Sequence, residues 1–152
     1  MIDRYENVII RTVCRIMIPF LQLYGLYVIM HGHYSPGGGF QGGVILGASL
    51  IILVIAYGLE EVQRRISFKS LTVLACAGVI LYSGIGAAAL LWGGNYLDYG
   101  ALPIAEVPKN RALGILGIEI GVGLCVMAIM IGIFLALASF DTSGGEDGRN
   151  SA

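Results

Sequence analysis

The stretch ALGILGIEIGVGLCVMAIMIGIFLALASF, from Ala112 to Phe140, decides the fold, because its only charged residue is Glu119. About 20 mostly apolar residues, rising 1.5 Å each, cover roughly 30 Å of hydrocarbon, so this run is long enough to cross a bilayer. Three more runs have the same character: Val8 to Met30, Gly42 to Leu59, and Ser70 to Trp92. The second in chain order is short, and the last is longer than a straight crossing needs. The residues after it, Asp141 to Ala152, are polar and glycine-rich and are expected to form a disordered tail.

Composition agrees. Of 152 residues, 57% are hydrophobic and 12% charged, against roughly a quarter charged in soluble domains. The expected fold is therefore all-α: an integral membrane protein of four transmembrane helices in one membrane domain, 1–140, with a polar tail, 141–152. The N-terminal run continues to Met30 and meets His-Gly-His rather than a small-residue cleavage site, so it is expected to stay in the chain. The net charge of −1 gives no basic surface for nucleic acid. Cys14, Cys76 and Cys125 are dispersed, with neither disulfide nor CxxC spacing, and read as small hydrophobes in helices.

Basic residues set the orientation. With four spans, the side shared by the two termini and the 60–69 connection holds Arg4, Arg11, Arg15, Arg64, Arg65, Lys69 and Arg149. The other side holds Lys109 and Arg111. The positive-inside rule then places both termini in the cytoplasm, with Trp92, Tyr96 and Tyr99 as an outer aromatic anchor. Arg11 and Arg15 share a helix face inside the first span, where they either snorkel to headgroups or pair with a neighbouring subunit. Pro19 predicts a kink there, and Gln22 a polar group facing protein rather than lipid.

Two features carry chemistry. The segment His31-Gly-His33-Tyr-Ser-Pro36-Gly37-Gly38-Gly39-Phe40-Gln41-Gly42-Gly43 lacks the lysine of a phosphate loop and the preceding strand of a dinucleotide fingerprint. Two histidines two residues apart, with no nearby Cys, Asp or third His, do not make a metal site, so neither metal nor cofactor is expected. Pro36 ends the preceding helix, while Gly39, Gly43 and Gly47 recur every four residues as a smooth face for another helix backbone. Alternatively, unwound backbone lines a wet cavity below the headgroups, with His31 and His33 as proton acceptors. The second feature is Glu119, flanked by Gly117 and Gly121 and therefore on or beside a helix-contact face. Counted from Ala112 it lies about 10 Å into the fourth helix, where an ionised carboxylate costs at least a few kcal/mol unless it is paired, faces water or reaches the outer interface.

The histidine-glycine-proline segment resembles the signature of the MnhB/MrpB subunit family, and Glu119-Ile-Gly-Val fits the family's acidic position. The resemblance runs from about Leu21 to Phe140. It implies a small, non-catalytic membrane subunit of an Mrp-type multisubunit Na+/H+ antiporter, or of the related module in membrane-bound hydrogenase complexes. Its partners would be the other membrane subunits of such a complex, with redox chemistry and metal clusters on other chains. His33, Pro36, Gly37, Gly38, Gly39, Phe40, Gly42 and Gly43 match the motif, while the His31-Gly-His33 form and Gln41 are closer to hydrogenase-type relatives. Glu119, His31, His33 and Gln22 are then the ion-path or interface residues. Two other readings remain open: a purely structural assembly subunit, and an autonomous transporter. An enzyme is the weakest, since no nucleophile–base pair is visible.

Overall fold

The computed structural model of the chain describes residues 2–32, 34, 37–101, 103 and 106–147. Helix α1 runs Ile2–Met30 and continues through Pro19. Helix α2, Gly39–Tyr57, stops where Gly58 takes a φ of 92°, a conformation that favours glycine. A short helix, α3 (Leu59–Arg65), carries Glu60 and Glu61 in its first turn and Arg64 and Arg65 in its last. Both placements oppose the helix dipole favourably. Helix α4 covers Phe68–Leu91, a single 3-10 turn follows at Tyr99–Ala101, and α5 runs Val107–Asp147. Pro108 sits in the first turn of α5, where its missing N–H leaves no helical bond unmade.

Four of these helices are long and apolar enough to cross a membrane: Val8–Met30, Gly39–Tyr57, Phe68–Leu91 and Val107–Ser139. The chain is thus an all-helical, multi-pass membrane protein. Helix α5 is the central element, packed on α2 on one side and α4 on the other. Helix α1 packs on α2. The outer helices stay largely uncovered, with 22% of the apolar window of α1 and 17% of that of α4 buried. Residues such as Ile16, Phe20, Val73 and Ile80 point outward. Water would make that surface unfavourable by about 25 cal/mol per Å², so lipid or another subunit must cover it.

Glycines set the helix spacing. Gly78 of α4 lies against Gly121 of α5, where an added Cβ would come within 2.9 Å of the Cys125 backbone nitrogen. On the other flank Gly43 lies against Gly123, whose carbonyl oxygen such a Cβ would meet at 2.7 Å. Without hydrophobic drive between spans, such close backbone contact is a main source of cohesion. The apolar core proper lies at the α3 end, where Val54, Val62, Leu71, Ala128, Ile131 and Leu135 cluster.

Three polar details bear on the sequence expectations. Arg11 Nε donates to the Ala56 carbonyl at 3.1 Å. That carbonyl belongs to the last turn of α2, so a cation inside the first span caps the C-terminus of the second. Tyr96 and Tyr99 contact glycines: the Tyr96 ring, itself 47% exposed, lies against Gly86, and the Tyr99 ring fills the space a side chain at Gly114 would need. Partial burial, with the Tyr82 and Tyr96 phenols adding to it, raises the Tyr99 pKa above its ordinary 10.0, so this docked ring stays neutral. Ser67 caps α4 by accepting from the Ser70 backbone N–H at 3.2 Å. Ser67→Ala is therefore expected to destabilise the chain by about 1 kcal/mol, read as a lowered midpoint of thermal unfolding in detergent.

Candidate functional site

The site forms where α1 ends and α2 begins. His31 follows the last residue of α1, and both its backbone N–H and its ring Nδ1 reach the Tyr27 carbonyl, at 3.0 and 3.1 Å. A carbonyl only accepts, so Nδ1 is the donor in that contact. The His31 ring also stacks on Tyr27, with centroids 4.2 Å apart. The chain then turns back on glycine. Gly38 takes a φ of 144°, open to glycine and strained for L side chains, and its carbonyl accepts the Gly42 N–H at 2.9 Å.

Glu119 enters this turn from α5. A Cβ on Gly32 would overlap the Glu119 carboxylate, and one on Gly38 would come within 3.4 Å of Oε1. A Cβ on Gly39 would overlap the main-chain carbonyl of Glu119. The other carboxylate oxygen, Oε2, is buried. The glycine turn and the acid, far apart in sequence, are therefore one site, and three glycines make the room for it.

The floor beneath the carboxylate is apolar and tight. Ile29 of α1, 6% exposed, reaches across to Gly42 and Gly123. Below that, the contact between Gly43 and Gly123 leaves no space for a methyl group. Helix α5 begins about 18 Å before Glu119 at 1.5 Å per residue, so it extends past the level of Gly39, where α2 starts.

Of the residues singled out from sequence, Glu119, Gly38 and Gly39 meet here. Gly42 and Gly43 are buried just below, and Gly37 is half-buried beside them. Phe40, 65% exposed, and Gln41 face outward. His31 lies one residue from the Gly32 contact and is itself exposed. Gln22 is half-buried on α1, on the same side as Ile18, Gly25 and Ile29. His33 and Pro36 lie outside the described residues. Gly117 and Gly121 serve the other flank, facing Ile85 and Gly78 of α4, so Glu119 stands beside that helix contact rather than in it. Sequence reasoning missed Gly32, Ile29 and Gly123. Gly123 repeats after Glu119 the four-residue spacing of Gly39, Gly43 and Gly47, and that signal was available.

Chemically, a carboxylate held in a close helix contact and bordered by main chain can exchange a proton or hold a small cation. Among the described residues no cluster of three or more His, Cys, Asp or Glu could hold a metal ion.

Known proteins provide the comparison. A family model described as a domain related to the MnhB subunit of Na+/H+ antiporter matches residues 9–132. A protein named as the putative antiporter subunit mnhB2 of Staphylococcus haemolyticus is 32% identical over 146 residues, spanning 93% of this chain and 97% of that protein. A Na+/H+ antiporter subunit of Alkalihalophilus pseudofirmus is 27% identical over 141 residues, covering 90% and 95% of the two chains. Its counterpart in Bacillus subtilis is 28% identical over 133 residues, covering 86% and 92%.

Proposed function

We propose that this chain, which belongs to the family of domains related to the MnhB subunit of Na+/H+ antiporters, is one membrane subunit of a multisubunit cation/proton antiporter. It performs no catalysis of its own. In this reading Glu119 and the glycine turn serve an ion path that a neighbouring subunit completes.

The observation that carries the reading is the recessed position of the carboxylate. Glu119 is set back about 18 Å from the Val107 end of α5, level with Gly39 at the start of α2. Irregular backbone and a carboxyl group at such depth are tolerated where protein or water satisfies them. Helix α5 continues past the carboxylate toward its Val107 end, and a partner subunit packed there would complete the path. The tight floor of Ile29 and the Gly43–Gly123 contact argues against a path straight through this chain. Charge asymmetry supports cytoplasmic termini, which puts the site toward the outer face.

Removal of the chain from its host is expected to abolish sodium-dependent proton movement in everted membrane vesicles, and the full chain supplied back should restore it. Sodium–proton exchange that persists without the chain would overturn the proposal. The subunits that co-purify with it distinguish a stand-alone antiporter from a hydrogenase-type complex.

A further inference from the structure

We infer that the groove between α1, α2 and α3 is a binding site for the headgroup of an anionic phospholipid. The groove has a volume of about 370 Å³ and is lined by Arg15, Leu53, Tyr57, Glu61, Val62 and Arg65. It lies at the end of the spans opposite the Glu119 site and makes no use of it.

The charges are arranged for an anion. Arg11 is held by the Ala56 carbonyl, and Arg65 donates through Nε and Nη2 to Glu61 Oε1, at 3.0 and 2.7 Å. That exposed pair leaves the Arg65 Nη1 hydrogens for another acceptor. Arg15 has no carboxylate partner among the described residues. The groove thus contains two guanidinium groups and one carboxylate, a surplus of one positive charge.

The lining also has two levels. Arg15, Arg65 and Tyr57 supply polar tips, while Leu53 and Val62 supply an apolar wall. The adjoining flank of α1 is apolar and open, with Ile16 59% and Phe20 68% exposed. A phosphate at the polar level with acyl chains along α1 satisfies both. An acidic side chain of a neighbouring protein would use the polar level alone. Basic pockets between spans at the headgroup level are a recurrent solution for holding anionic lipid.

The test uses the full chain in its detergent-purified complex, with phosphatidylglycerol or phosphatidylcholine added and retained lipid counted by native mass spectrometry. Phosphatidylglycerol should be retained over phosphatidylcholine, and Arg15→Gln should lower its retention about fivefold, the loss expected for one cation near an anionic surface. Glu61→Gln, which removes the competing carboxylate, should raise retention, and Lys109→Gln at the other membrane face should leave it unchanged. If Arg15→Gln fails to assemble, the Glu61→Gln result decides alone. Equal retention of the two lipids overturns the inference, as does unchanged phosphatidylglycerol in Arg15→Gln or unchanged or lowered retention in Glu61→Gln. An Arg15→Gln complex that loses a neighbouring chain with its lipid unaltered also overturns it, in favour of a protein carboxylate.

Discussion

Gly39→Ala is expected to destabilise the chain by about 3 kcal/mol or more, the upper end of what overpacking a close contact costs. The new methyl group would land on the main-chain carbonyl of Glu119. Backbone cannot rotate away as a side chain can, so α2 and α5 would have to separate. The three glycines on this face should grade accordingly. At Gly43 the added carbon meets the Gly123 carbonyl at 2.7 Å, again backbone. At Gly47 it meets Met130 Cβ at 3.2 Å and Sδ at 3.4 Å, on a flexible side chain that can give way. Stability in detergent should therefore rise from Gly39→Ala to Gly43→Ala to Gly47→Ala. Gly84 of α4, with nothing within 4 Å of its missing Cβ, is the control. There alanine removes only glycine's conformational penalty and should be neutral or stabilising by about 0.5–1 kcal/mol. A Gly39→Ala chain that melts with Gly84→Ala would show that α2 and α5 are not held at the distance these glycines set.

How much of this was legible beforehand depends on the range of the interaction. The four spans follow from hydropathy, a local property, and the apolar runs alone disclose them. The Gly39, Gly43 and Gly47 face is local too, since helical periodicity fixes which residues align. What no periodicity contains is the partner across the interface. Glu119 and the glycine turn were each conspicuous, yet nothing in the chain's spacing says that the carboxylate sits against Gly32 and Gly38. Arg11 shows the same limit. Snorkelling and an inter-subunit pair were the readings open to sequence, whereas the structure sends Nε to a carbonyl at the end of α2. Tyr96 and Tyr99 fit an aromatic belt by composition, while the glycines their rings lie against, Gly86 and Gly114, are not disclosed by spacing. In each case a residue type was informative and its neighbour was not.

Glu119→Gln is expected to lower sodium–proton exchange by the complex roughly a hundredfold, the scale on which a positioned proton-transfer group acts. The substitution keeps the shape of the side chain, so the contacts with Gly32, Gly38 and the Gly39 main chain survive, and the complex should assemble with all its subunits. What is lost is the ability to ionise, and with it any exchange of a proton for a cation at this carboxyl group. Gly32→Ala approaches the same site from the other side. It leaves the acid in place and puts a methyl group where the carboxylate lies, so the carboxylate must shift. Exchange should fall in this variant too, with assembly intact, because Gly32 belongs to the turn after α1 and not to a helix crossing. Everted-vesicle measurements of sodium-dependent proton movement, paired with the subunit composition of the purified complex, separate the outcomes. Loss of subunits in Glu119→Gln would make the carboxylate an assembly contact. Full exchange in an intact Glu119→Gln complex would remove it from the ion path, leaving the glycine turn as a packing device whose recess the antiporter does not use.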